Sequence, residues 1–166
     1  MACQQPSFKE LGVKHWKDAG TVGGYYSVNK PVPSLKVIIN SDGASRGNPG
    51  RSAIGVVITD VHGKTLGTIS KCIGITTNNQ AEYKALIAGL EAALELNATE
   101  ALIRIDSELI VKQIKKQYRV KKPELIPLYQ RVVELLASFQ TFSIVHVVRN
   151  FNKEADRLAN LALDSR

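Results

Sequence analysis

The hydrophobic pattern changes period several times after residue 36, and each change marks a strand or a helix. Residues 37–39 are a short β-branched run, which is typical of a buried strand, and the turn-forming residues 41–43 follow it. Residues 53–59 and 65–75 carry two more strand patterns with turn residues between them. This region therefore predicts a strand followed by an antiparallel hairpin.

Helices and strands alternate in the rest of the chain. A long helix is predicted over residues 78–96, because Thr77 and Gln80 form a capping box at its start and leucines recur at helical spacing within it. The later predicted elements are a strand at 101–105, a helix through 110–114, a helix through 125–136, a strand at 142–148 and a helix at 152–163. The order βββαβααβα predicts an α/β domain whose helices cover a mixed sheet.

Composition assigns this pattern to one globular domain with an extension in front of it. The chain of 166 residues is 44% hydrophobic and 22% charged, as in ordinary globular proteins. Residues 1–35 lack a sustained period and contain several glycines and prolines, so they are predicted to be an extension, partly disordered or packed on the surface of a domain at 36–166. The sequence holds no run of the ~20 apolar residues that span a membrane, and no signal-peptide pattern. We therefore expect no membrane partner, and a cytoplasmic location with the nucleus as the alternative.

The charge of the chain narrows the choice of partner. A net charge of +7 favours a polyanion, although a basic protein without such a partner would have the same charge. The two cysteines and three histidines are scattered along the chain, which argues against a zinc site. The ligands of any bound metal are therefore expected to be carboxylates.

Four acidic residues follow predicted strands or begin predicted helices. Asp42 ends the first strand and Asp106 the fourth. Glu82 and Asp156 lie in the first turns of two predicted helices. Sites in open α/β sheets form at the carboxyl ends of parallel strands, so the four carboxylates converge if the first and fourth strands are parallel neighbours. Their repulsion would then favour Mg²⁺ or Mn²⁺, although the residues alone give their order and not their convergence. Taken singly, each acid would also serve as a turn residue, a helix cap or a partner of a helix dipole.

Four motifs around these acids together resemble the signatures of the type 1 ribonuclease H family. They are DGASRGNPG at residues 42–50, TTNNQAEY at 76–83, DS at 106–107 and NKEAD at 152–156. The motifs occur in the family's order and spacing, and the resemblance covers about residues 36–164. It is closest to the compact branch found in some archaea and bacteria and in plant retroelement polyproteins.

The resemblance implies a ribonuclease H-like α/β fold, in which a five-stranded mixed sheet has the order 3-2-1-4-5 and is flanked by helices. It implies hydrolysis of the RNA strand of RNA–DNA hybrids by a two-metal-ion mechanism with Mg²⁺, or Mn²⁺ in its place, leaving 5′-phosphate and 3′-hydroxyl ends. The hybrid is the implied partner, and we expect the chain to act as a monomer. The residues that match the family's catalytic and metal-binding set are Asp42, Glu82, Asp106 and Asp156.

Two further groups of residues match the family's substrate contacts. The glycines and the proline within residues 47–50 let the chain turn tightly and approach a substrate closely. The residues expected to contact ribose 2′-hydroxyls are Ser45, Gly47 and Asn48, and those expected to contact phosphate and sugar at a helix N-terminus are Thr77, Asn78 and Asn79. All six also suit turn formation or helix capping, and the two roles are compatible.

The chain departs from the better-known bacterial enzymes of the family in two places near the predicted site. The loop before the last helix has no histidine, so Arg149 is the candidate for its place, with His146 as the alternative. The family's long basic protrusion is absent, and a shorter basic stretch at residues 112–122 replaces it. Within this stretch Lys115 and Lys116 are candidate substrate-binding residues, although such charge runs also occur as solvated helix ends.

Two other functions stay compatible with the sequence. The same fold would suit a nuclease that acts on another nucleic acid, but such enzymes typically lack elements like Asn48 and residues 77–79. A nucleic-acid-binding module without catalysis is the second alternative. The presence of all four acids argues against it.

Overall fold

The structure is a computed structural model that describes residues 34–165, where strands and helices follow the predicted order βββαβααβα. The strands are β1 (Lys36–Gly47), β2 (Gly50–Asp60), β3 (Thr65–Thr76), β4 (Glu100–Ile105) and β5 (Thr141–His146). The α-helices are α1 (Asn78–Glu95), α2 (Glu108–Ile114), α3 (Ile126–Leu136) and α4 (Lys153–Asp164), with short 3₁₀ turns at Pro123–Leu125 and Arg149–Phe151. The extension predicted for residues 1–35 lies, except for its last two residues, outside the described residues and stays a prediction.

The five strands form one mixed sheet in the order β3-β2-β1-β4-β5, which confirms the order that the resemblance implies. β1, β2 and β3 pair antiparallel, whereas β4 pairs parallel with both β1 and β5. The predicted turn at residues 41–43 is wrong, because β1 continues to Gly47. Its pairing with β2 extends to Gly47 and Gly50, so contacts with the neighbouring strand override the local turn preference.

Helix α1 starts at the predicted capping box. Thr77 Oγ1 accepts a hydrogen bond from the Gln80 N–H at 3.3 Å, and the Gln80 side chain accepts one from the Thr77 N–H at 2.9 Å. The helix therefore begins at Asn78, which puts Glu82 in the second turn. The prediction that Glu82 lies in the first turn is wrong, because Glu82 is the fifth residue after the cap residue Thr77.

Apolar side chains cover both faces of the sheet. The main core packs α1, α2 and α3 against one face, and its fully buried members include Val37, Ile39, Val56, Leu86, Leu90 and Ile103. Helix α4 lies on the other face and contacts β1, β2 and β3 through small side chains such as Ala155, Ala159 and Ala162. Within residues 34–165, the helices are too short or too polar to cross a membrane.

Two glycines allow helices α1 and α4 to approach the sheet closely. A Cβ atom at Gly43 of β1 would overlap the backbone nitrogen of Glu82 in α1. A Cβ atom at Gly55 of β2 would overlap the carbonyl oxygen of Ala155 in α4. Gly55 pairs with Asp42 in the β1–β2 register, one residue from Gly43. The two helices therefore reach opposite faces of the sheet at the same level along β1.

Replacing Gly55 by alanine is expected to lower the thermal unfolding midpoint, because the new methyl group must push α4 away from the sheet. Overpacking of this kind costs about 1–3 kcal/mol, and each kcal/mol shifts the midpoint by about 2–4 °C in a protein of this size. Gly67→Ala in β3 is the matched control, since a Cβ atom there meets nothing within 4 Å. Thermal denaturation followed by circular dichroism measures both variants. Equal midpoints would contradict the close approach of α4.

Candidate active site

The parallel pairing of β1 with β4 brings two acids side by side. The last residues that pair are Asn40 and Arg104. An aspartate follows two residues after each of them, Asp42 within β1 and Asp106 directly after the end of β4. The two aspartates are therefore equivalent in register. Beyond Asn40, β1 pairs only with β2. Asp42 therefore lies just past the end of the parallel pairing and not at the end of β1.

Helices α1 and α4 contribute the other two acids. Glu82 comes from the second turn of α1, and Asp156 comes from the first turn of α4. Both line a pocket of about 280 Å³ together with Asp42 and Asp106. The structure thus brings the four predicted carboxylates to one site at the edge of the sheet.

Burial and mutual repulsion make the pocket unfavourable for negative charge. Asp42 is 9% exposed, and its pKa is raised from 3.8 to about 8, chiefly by burial and then by the charges of Asp106, Asp156 and Glu82. Burial also raises the pKa of Glu82, against the opposing effect of hydrogen bonds from Ser107 and Asn78. A cation that neutralises these groups would be favoured at this position.

A buried asparagine that the sequence analysis did not single out fixes one of the carboxylates. Asn152 is 1% exposed, and its Nδ2 donates to the Ser41 carbonyl oxygen at 2.9 Å and to Asp106 Oδ1 at 3.1 Å. Its Oδ1 accepts a hydrogen bond from Asn40 Nδ2 at 3.1 Å. The side chain therefore connects β1, the end of β4 and the start of α4. The only sequence signal for it is its place at the head of the NKEAD motif.

Arg149 supplies positive charge to the pocket. Its guanidinium donates to Asp156 Oδ1 at 2.6 Å, and the side chain is 73% exposed. The hydrogen bond and the charge of Asp156 raise the pKa of Arg149 further, so it stays protonated at every working pH. His146, the alternative candidate, ends β5 and does not line this pocket.

The β1–β2 turn and the start of α1 are joined beside the pocket. Asn48 Oδ1 accepts a hydrogen bond from the Asn78 N–H at 3.2 Å, and Asn78 Nδ2 donates to Glu82 Oε1 at 3.2 Å. Ser45 Oγ donates to the Gly47 carbonyl oxygen at 2.5 Å, and Gly47 has a φ of 105° that favours glycine. The turn is therefore held rigidly against the helix that carries Glu82.

The predicted substrate-binding residues do not all reach this pocket. Ser45 and Asn78 line it, whereas Gly47, Asn48, Thr77 and Asn79 lie around it in the turn and the helix start. Lys115 and Lys116 follow α2, and Lys116 lines a different groove. The basic stretch is thus a separate surface from the carboxylate pocket.

The donor set suits Mg²⁺ or Mn²⁺, because it contains only carboxylate and amide oxygens. Within residues 34–165, no three acidic, histidine or cysteine side chains stand close enough to hold one ion between them. Hydrogen bonds from Asn152, Asn78 and Arg149 instead keep three of the carboxylates in separate positions. The chemistry of the pocket therefore fits divalent cations such as Mg²⁺, which bind through one or two carboxylates and keep several water ligands.

Comparison with other sequences identifies relatives over most of the chain. A family model described as reverse transcriptase-like matches residues 40–162. Ribonuclease HI of Halobacterium salinarum is 46% identical over 138 residues, covering 83% of this chain and 69% of the relative. A bifunctional protein of Mycobacterium tuberculosis is 45% identical over 132 residues, which is 79% of this chain. The chain spans only about 36% of that mycobacterial protein.

Solved structures with the same fold lead to the same family. The RNase H1 of Halobacterium salinarum superposes with a TM-score of 0.77 at 44% identity, covering 79% of this chain and 99% of that one. LC11-RNase H1 from compost, solved in complex with an RNA/DNA hybrid, gives a TM-score of 0.73 at 43% identity, covering 77% and 96%. The fold, the four motifs and these similarities agree, and the chain belongs to the type 1 ribonuclease H family within the reverse transcriptase-like group.

Proposed function

We propose that the chain is a metal-dependent endonuclease that hydrolyses the RNA strand of RNA–DNA hybrids and leaves 5′-phosphate and 3′-hydroxyl ends. The observation that carries the proposal is the convergence of four carboxylates in one pocket beside a rigid turn and a helix N-terminus. The ribonuclease HI relative and the hybrid bound to LC11-RNase H1 support it. The proposed substrate is therefore the RNA–DNA hybrid rather than duplex RNA or duplex DNA.

Mg²⁺ is the proposed cofactor, with Mn²⁺ as a substitute. The residues that would hold it are Asp42, Glu82, Asp106 and Asp156. When bound, a pair of these ions would lower the pKa of a water molecule and neutralise charge on the leaving oxygen. The chain's own contribution is to orient the carboxylates: Asn152 holds Asp106, and Asn78 holds Glu82.

Preference for an RNA strand is proposed to come from the β1–β2 turn and the start of α1. Asn48 uses its Oδ1 to bind α1, which leaves its Nδ2 group to donate to a ribose 2′-hydroxyl. Gly47, which precedes Asn48, and Thr77 and Asn79, which flank Asn78 in the chain, are the further residues proposed to contact the RNA strand. Only RNA carries the 2′-hydroxyl, so contacts to it distinguish the two strands of a hybrid.

Arg149 is proposed to contact the scissile phosphate. Its charge and its planar donors suit a phosphate, but a group that is always protonated does not shuttle a proton. In the structure the guanidinium pairs with Asp156, so substrate binding would exchange a carboxylate for a phosphate. The proposed role of Arg149 is therefore substrate positioning and charge stabilisation rather than acid–base catalysis.

The basic stretch at residues 112–122 is proposed to attract the hybrid. Lys112 pairs with Glu108 at 2.7 Å, whereas the five other basic residues of the stretch form no ion pair within the described part of the chain. These residues are Lys115, Lys116, Arg119, Lys121 and Lys122. Unpaired positive charge of this kind strengthens binding to a polyanion at low salt.

Asp106→Asn is expected to reduce hybrid cleavage by several orders of magnitude without unfolding the protein, because it removes a ligand charge and keeps the shape. Cleavage of a labelled hybrid, duplex RNA and duplex DNA, with and without Mg²⁺, measures both activity and specificity. Glu95→Gln is the control, since Glu95 is an exposed acid at the end of α1. Near-normal cleavage by Asp106→Asn, or cleavage by the parent without a divalent cation, would contradict the proposal.

Asp42→Asn is expected to stabilise the protein when divalent cations are removed by a chelator. The pKa of Asp42 is about 8 in the folded protein and 3.8 in the unfolded chain. Between about pH 4 and pH 8 the unfolded chain therefore loses this proton while the folded protein keeps it, and the free energy of unfolding falls as the pH rises. Asparagine does not ionise, so the variant keeps its stability over this range. The difference in unfolding midpoint between Asp42→Asn and the parent should therefore be absent near pH 4 and largest near pH 8. Thermal denaturation across this range measures it. A variant less stable than the parent at pH 8 would refute the electrostatic account.

Arg149→Ala is expected to lower kcat for hybrid cleavage by about 10²-fold, the lower end of the effect of removing one preorganised donor. Arg149→Lys should recover part of the loss, because it keeps the charge but not the two-pronged geometry. Arg157→Ala is the control, since Arg157 is an exposed arginine paired with Glu154 on α4. Steady-state kinetics give kcat and KM. A rate equal to that of Arg157→Ala would remove Arg149 from the mechanism.

A further inference from the structure

A second groove lies between the loop after α2 and the start of α3. Its volume is about 600 Å³, and it shares no lining residue with the carboxylate pocket. Val120 and Tyr129 form its inner wall and pack against the main core. Lys116, Tyr118 and Arg119 line its outer part and are exposed. The groove thus combines aromatic rings with positive charge and has no acidic residue in its lining.

The loop that forms the groove is held in place by the end of α2. The N–H groups of Gln117 and Tyr118 both donate to the Lys112 carbonyl oxygen, at 2.8 and 3.1 Å. The Lys112 ammonium group lies 5.0 Å from the centre of the Tyr118 ring, which is 52% exposed. Lys116 adopts a left-handed backbone with a φ of 60°. The loop backbone and the Tyr118 ring are therefore held in place by contacts within the chain.

We propose that this groove binds an unpaired nucleotide of a single nucleic-acid strand. The base would stack on Tyr118, while Lys116 and Arg119 would neutralise the adjacent phosphates. Aromatic rings beside cations are the usual means of binding single strands without sequence preference. In a duplex the base faces are already stacked, so a duplex would offer only its phosphates to this groove. The site shares Lys116 and Arg119 with the basic stretch that is proposed to attract the hybrid, but stacking of an unpaired base on Tyr118 goes beyond that role and does not require cleavage.

Binding of a labelled oligothymidylate to the full chain, measured by fluorescence anisotropy in the presence of a chelator, tests the proposal without cleavage. Tyr118→Ala should weaken single-strand binding by about 5- to 150-fold, the usual effect of losing one stacked base. Tyr118→Phe should bind like the parent, because the ring is kept. Phe142→Ala is the matched control, since Phe142 is a 47% exposed ring on β5.

Two further measurements separate stacking from general electrostatic attraction. Affinity for a blunt DNA duplex, and cleavage of a blunt hybrid, should be unchanged in Tyr118→Ala. Lys116→Gln should flatten the salt dependence of single-strand binding by about 0.7 in the logarithmic slope, the value for one phosphate contact. The proposal is overturned if Tyr118→Ala binds the single strand like the parent. It is also overturned if single-strand and duplex binding weaken equally.

Discussion

Mutual repulsion among four carboxyl groups is the constraint on which the rest of the site depends. At Asp42 this repulsion adds to burial, which is the larger effect, and together they raise the pKa to about 8. The fold counters the repulsion with hydrogen bonds from Asn152 and Asn78 and with the positive charge of Arg149. These contacts hold the acids at one edge of the sheet but in separate positions. Cations would relieve the repulsion that remains, so the proposed affinity for divalent metal follows from how the fold concentrates negative charge.

Two features of the backbone make that concentration possible. The parallel pairing of β1 with β4 ends at Asn40 and Arg104. Asp42 and Asp106 each follow two residues later, so they lie side by side. The absence of a Cβ atom at Gly43 and at Gly55 then lets α1 and α4 reach the same level from opposite faces. Three of the acids thus lie within a strand or a helix, and Asp106 directly follows β4, so their positions depend mainly on backbone packing.

The sequence predicts the order of elements and the capping box because both depend on local periodicity and on residues three apart. The residues alone give the order of the four acids, whereas their convergence follows from the resemblance and from the strand order that it implies. The sequence does not predict that β1 continues past Asp42, because that extension depends on pairing with β2. The contacts of Asn152 with Ser41 and Asp106 span 111 and 46 residues, and no spacing rule encodes them.

The distribution of charge explains why an acidic pocket occurs in a chain with a net charge of +7. A phosphate approaching four carboxylates is repelled unless positive charge surrounds them. Arg149 provides this charge at the pocket itself, and the unpaired basic residues after α2 provide it at a distance. Long-range attraction is screened by salt, whereas the buried interactions of the pocket are screened much less. In the proposed function, capture of a nucleic acid and chemistry on it therefore depend on different groups, so substitutions in the basic stretch should change KM and substitutions in the carboxylate pocket should change kcat.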